Sequence, residues 1–148
     1  MHRASSTVSR PSTGRSRVST AAVAVAVLFL ALGVLGFIPD ITSRFDDLRL
    51  AGQHSGARLF GVFEVSVLHN LVPLVSGVGG LALARTASGA RTFLIGGGAV
   101  YLVLWVYGLA IEQDSAANFL PVNDADNWLH LGLGIGMIVL GVLTGRRR

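Results

Sequence analysis

Asn118-Phe-Leu-Pro-Val-Asn-Asp-Ala-Asp-Asn-Trp-Leu-His130 runs directly into Leu131-Gly-Leu-Gly-Ile-Gly-Met-Ile-Val-Leu-Gly-Val-Leu-Thr144. Acids, amides, a Trp and a His stand at the doorway of a stretch that holds no charge at all. Such a stretch satisfies its backbone as a helix and reads as a membrane span, here residues 128–144. The composition agrees: 51% of the residues are hydrophobic and 14% are charged, with a mean hydropathy of +0.62. An ordinary soluble domain carries about a quarter of its residues as charges. The sequence has no Cys, which removes disulfides, thiolate metal sites and Cys nucleophiles from consideration.

Working outward from that stretch, three further spans are expected, at residues 18–38, 62–84 and 92–111. Together they predict an all-α integral membrane protein, a bundle of four transmembrane helices in residues 18–145. A disordered basic tail at 1–17 and a basic end at 146–148 flank it. The loop between the first two spans mixes Asp40, Arg44, Asp46, Asp47, Arg49, His54 and Arg58. Within it Ser43 is expected to cap a short surface helix with Asp46 in the capping-box position. Pro73 leaves the His69 carbonyl without its helical partner, which predicts a kink beside His69. Gly132 and Gly136 form a GxxxG pair, a spacing that leaves a dimer possible.

All twelve basic residues are Arg, and their distribution sets the orientation. Arg3, Arg10, Arg15 and Arg17 precede span one, Arg85 and Arg91 lie between spans two and three, and Arg146, Arg147 and Arg148 end the chain. The loop after span three has acids and no Arg. By the positive-inside rule both termini are expected in the cytoplasm of a bacterial cell, with residues 118–130 on the outer side of its plasma membrane. Arginines scattered in this way do not make a nucleic-acid surface.

An internal repeat is visible. Phe29-Leu-Ala-Leu-Gly-Val-Leu-Gly36 aligns with Tyr101-Leu-Val-Leu-Trp-Val-Tyr-Gly108, and Leu68-His69 with Leu129-His130. It predicts two tandem helical hairpins related about the membrane normal. His69 and His130 precede Arg85 and Arg146 by the same interval, so they are expected at one depth, close beneath the outer surface. Asp126 lies one turn before His130 and is expected to bond it and fix its tautomer.

The candidate cluster is therefore Glu64, His69, Asn70, Asn123, Asp124, Asp126, Asn127, Trp128 and His130, without a catalytic role. Asn123, Asp124 and Asp126 have a simpler use as caps at a helix N-terminus. The expected function is non-enzymatic, structural or partner-binding, with the lipid bilayer, a second copy of the chain or another membrane protein as partner. No cofactor is expected. The alternative uses His69 and His130 as axial ligands of a haem or as ligands of a divalent metal. A third reading makes Glu64 the coupling carboxylate of a proton-linked small-solute transporter.

Three blocks of residues also carry a resemblance: 32–39 (Leu-Gly-Val-Leu-Gly-Phe-Ile-Pro), Phe60-Gly61-Val62-Phe63 with Leu68-His69-Asn70-Leu71, and residues 118–130. Over about residues 20–144 the chain resembles a family of small four-span membrane proteins, mainly actinobacterial, known as domain of unknown function 4383. The resemblance implies a multi-pass plasma-membrane protein without an assigned activity. It also implies relatives with Gln, Asn and His where this chain has Glu64, Ser66 and Pro73. The missing His at Pro73 argues against a metal held by span two alone.

Overall fold

The computed structural model describes residues 16–52 and 55–145. The basic tail up to Arg15, His54 and the terminal Arg146, Arg147 and Arg148 lie outside the described residues. Four helices make up the body: α1 (Arg17–Leu35), α2 (Val67–Leu83), α3 (Ala87–Ala110) and α4 (Asp124–Thr144). Three of them, α1, α3 and α4, are long and apolar enough to cross a membrane, while α2 is shorter at 17 residues.

Each helix begins where a side chain can take an otherwise orphaned N–H. Ser16 accepts from Ser19 N, Ser66 from His69 N, Thr86 from Gly89 N and Asn123 from Asp126 N. The caps explain why α2 starts at Val67, several residues after the apolar run itself begins. Val67 N and Leu68 N donate to Arg49 O and Leu50 O at 2.9 and 3.0 Å, so the preceding loop completes the first turn. The helix continues through Pro73.

α1 packs chiefly on α2, and α3 on α4, giving two hairpins side by side. Small residues let the backbones approach. In the first hairpin Gly77 lies on the Ala26 carbonyl and the Leu30 side chain. In the second, Gly134 lies on the Gly98 carbonyl and the Leu102 side chain. Phe29 and Tyr101 join the hairpins, stacked with centroids 5.0 Å apart, and Phe93 meets Phe29 edge-on at 6.3 Å. Ala22, Ala26 and Phe29 are fully buried, whereas Val75, Val78, Val103, Val106 and Leu143 point outward. Apolar bulk on the outside suits lipid as solvent, and small residues inside suit close helix contact.

The GxxxG pair does not pack within the bundle. A Cβ on Gly132 or Gly136 would meet nothing within 4 Å, so this pair faces away from the bundle. The contacts are made instead by Gly134 and Gly141, on the opposite face of α4.

Between α1 and α2 lies a three-stranded antiparallel sheet that the charged loop did not advertise: β1 (Thr42–Ser43), β2 (Arg58–Leu59) and β3 (Phe63–Glu64). Thr42 pairs with Leu59, and Arg58 with Glu64. Phe60 and Gly61 turn the chain between β2 and β3 with φ of 53° and 72°, left-handed values that Gly adopts freely and Phe does not. Beneath the sheet Ala57, Leu59 and Val65 pack on Leu32, Leu35, Ile41 and Leu48. The helix expected from Ser43 is a single 3₁₀ turn, Phe45–Asp47, preceded by Arg44 in a left-handed conformation. Ser43 does not cap it, because its hydroxyl donates to Arg58 O across the sheet at 3.1 Å.

Candidate functional site

The sheet and the 111–123 loop meet over one end of the helices, and the candidate cluster lies where they meet. Gly52 N donates to Phe119 O at 2.8 Å and ties the two loops together. Asn118 shapes the second loop from within. Its amide nitrogen donates to Gln113 O at 3.0 Å, and its oxygen accepts from Val122 N at 3.1 Å.

Asp126 and Asn123 form a reciprocal capping box at the start of α4. The same Asp126 Oδ2 accepts from Asn123 N and from Glu64 N of β3, both at 3.0 Å. The expected Asp126–His130 bond is therefore not made: the carboxylate turns toward the helix N-terminus, where two backbone N–H groups converge on it. Among the described residues His130 Nδ1 has no partner, although the residue is only 4% exposed. Asn123 Nδ2 reaches Val62 O at 2.8 Å, so the α4 cap also holds the turn before β3.

His69 stands on α2 with its Nδ1 2.8 Å from Pro121 O. A carbonyl oxygen only accepts, so Nδ1 carries the proton and Nε2 of the neutral ring carries the lone pair. The two imidazoles expected at one depth do face each other, with centroids 6.0 Å apart and planes inclined by 34°. Tyr101 lies 5.7 Å from His130 on its other side. Both histidines, Asp126, Asn70 and Tyr101 line one cavity of about 60 Å³, whose remaining wall includes Leu32, Pro73, Leu104, Leu129 and Leu133.

The two asparagines have a shared task. Asn70 Nδ2 donates to Gly36 O at 2.9 Å and Asn127 Nδ2 to Gly108 O at 3.2 Å, both buried. Each closes the last turn of the first helix in its own hairpin. Gly36 and Gly108 are equivalent in the sequence alignment, and the Gly77 and Gly134 contacts match in the same way. In this contact register His130 corresponds to Pro73 and Asp126 to His69, one helical turn from the pairing of His69 with His130 that the sequence suggests.

The remaining candidates lie apart from the cavity. Trp128 is 73% exposed on the outer face of α4. Asp124 accepts from Gln113 Nε2 at 3.0 Å on the surface. Glu64, on β3, is half-buried; burial pushes its carboxyl above the usual value, Arg58 across the sheet pulls it back, and Asp114 pushes it up again. Residues that the sequence reading missed are Pro121, Tyr101 and Asn118. Tyr101 left a signal through its alignment with Phe29, and Asn118 and Pro121 through their place in the 118–130 stretch.

Neither prosthetic alternative matches the cavity as it stands. A haem is a drug-sized group, and pockets for such groups run to about 300–1,000 Å³. A four-coordinate zinc needs more protein ligands than two. Among the described residues no three His, Cys, Asp or Glu side chains converge.

Taken together, these features define a protein of four helices, three of them long and apolar enough to cross a membrane, closed at one end by a hydrogen-bonded polar cap that includes a small sheet. The chain belongs to the family described as Domain of unknown function (DUF4383), which matches residues 19–143. No curated protein and no solved structure matches it.

Proposed function

We propose that the chain is a non-enzymatic, four-span protein of the bacterial plasma membrane. It is built as two tandem hairpins, with both termini in the cytoplasm and the cap outside. The cap is a rigid platform for contact with a partner, either a second copy or another membrane protein. The observation that carries this reading is how the cluster spends its polar groups. Asp126, Asn123, His69, Asn70 and Asn127 each bond a backbone group on another element. Groups used in this way hold a surface in shape. Around them Leu50, Phe60, Phe119 and Trp128 stand exposed, all apolar or aromatic, as an interfacial or partner-facing rim requires.

Asn127 and Asn70, with the matching glycine contacts, support the tandem repeat. The arginine distribution supports the orientation. α2 is short for a span, and its outer end is completed by the sheet, which brings the loop down to meet it. A transporter would need Glu64 to communicate across the bundle, yet Glu64 lies on the sheet above the helices.

The absence of native Cys makes the topology directly measurable. Single cysteines at Asp46 and Gln113 are expected to react with a membrane-impermeant maleimide in intact cells, and one at Ser88 only after permeabilisation. Labelling of Ser88 alone in intact cells reverses the orientation. A photo-crosslinking residue at Phe119 or Trp128 is expected to give a discrete protein adduct where one at Val75 gives lipid. Equal behaviour at all three sites removes the platform.

A further inference from the structure

The architecture of the cap uses only one nitrogen of His69 and leaves Nδ1 of His130 unpartnered among the described residues. His69 is oriented by Pro121 O through Nδ1, which leaves the Nε2 lone pair available. A ligand histidine is held in this way in metal sites, by a carbonyl on its far nitrogen. His130 is buried, its Nδ1 has no partner among the described residues, and it faces His69 across the same small cavity. A buried polar nitrogen left unpaired costs ~1–3 kcal/mol, so it calls for an explanation.

The spacing restricts what can lie between the rings. Two metal–nitrogen bonds of ~2.0 Å, with each nitrogen ~1.1 Å from its ring centre, place collinear imidazoles about 6.2 Å apart. The observed centroid separation is 6.0 Å. Two ligands and no third satisfy an ion that accepts linear two-coordination. Zinc, with its tetrahedral preference, is left short.

Charge points the same way. Both ligands are neutral, and the cost of burying an ion grows with the square of its charge, so a divalent cation would be about four times as expensive as a monovalent one. Asp126, the one acidic side chain on the cavity wall, lies beside them. Cuprous ion is monovalent and forms linear two-coordinate complexes, and imidazole is among the ligands that copper accepts.

We propose that His69 and His130 form a two-coordinate site for a soft monovalent cation, copper(I), set beneath the polar cap. The cation binds by accepting one lone pair from each ring, with no change of oxidation state. The proposal goes beyond the platform reading and does not depend on it; the maleimide topology is unaffected by either outcome.

The test is anaerobic titration of the detergent-purified full chain with copper(I) against a chromophoric chelator, followed by X-ray absorption at the copper edge. One copper per chain with two collinear nitrogen neighbours is expected. His130→Ala and His69→Ala should each abolish stoichiometric binding. Helix content and elution in detergent are checked for both variants, because His69 also holds Pro121. The wild-type absorption spectrum decides independently of how they fold. Three or more ligands on the copper, binding that survives loss of both rings, or no binding by the folded wild-type chain overturns the proposal.

Discussion

The two hairpins solve one problem twice and differ in how completely they solve it. In the first, Asn70 donates to Gly36 O at 2.9 Å, and the loop above folds into a small sheet while its Arg49 and Leu50 carbonyls complete the start of α2. In the second, Asn127 donates to Gly108 O at 3.2 Å, and its own Oδ1 is buried without a partner among the described residues. The loop above has no strand and is shaped by the Asn118 side chain and the capping box. The first hairpin is finished by its own loop. The second takes its finish from across the bundle, through Glu64 N and Val62 O.

Breaking the locks should have the largest effect. A Cβ at Gly108 or Gly36 would collide with the carboxamide of Asn127 or Asn70. Gly108→Ala and Gly36→Ala are each expected to destabilise by ~2–3 kcal/mol, combining overpacking with a displaced buried hydrogen bond. Unfolding in mixed micelles of increasing SDS content measures this. Loss of less than ~0.5 kcal/mol at both sites would show that the asparagines relax freely and are not locks.

Replacing the asparagines sharpens the contrast. Asn70→Leu is expected to cost ~1–2 kcal/mol, within the range for a buried hydrogen bond in a helical membrane protein. Asn127→Leu should cost less, because it also removes an unpaired oxygen. Equal losses would mean that the two hairpins are equally well completed.

The smallest effect is electrostatic and concerns the sheet. Burial raises the Glu64 carboxyl above its unfolded value. The contribution of this group to stability is fully present below the unfolded value and is lost as pH rises through the folded one. Unfolding measured between pH 4 and 8 should show that decline superposed on the titration of other groups, and Glu64→Gln should flatten it. An unchanged slope in the variant would place the pH dependence elsewhere.

Much of the fold was legible because lipid imposes a simple rule on long segments. Apolar runs marked the helices, Arg spacing singled out His69 and His130 as a pair, whose rings are neighbours, and the alignment of Phe29 with Tyr101 marked the place where the hairpins stack. The misses lie where the choice is local. Asp126 could bond His130 one turn on or the N–H groups behind it, and only the arrival of Glu64 N decides between them. Gly132 and Gly134 are indistinguishable by composition, and helix rotation selects the second. Two-residue strands in a charged loop carry no period to read. The one-turn shift between Asn70 and Asn127 was hidden because the repeated His was the more conspicuous match.

The bond from Glu64 N to Asp126 also bears on the order of assembly. It spans 62 positions in the chain, and the His69 contact with Pro121 spans 52. Until α4 and the loop before it have been made, Glu64 N, His69 Nδ1 and Gly52 N of the first half of the chain lack these acceptors. Its sheet can form at once, but the seal over the histidines cannot. That seal closes only when α4 and the loop before it are in place.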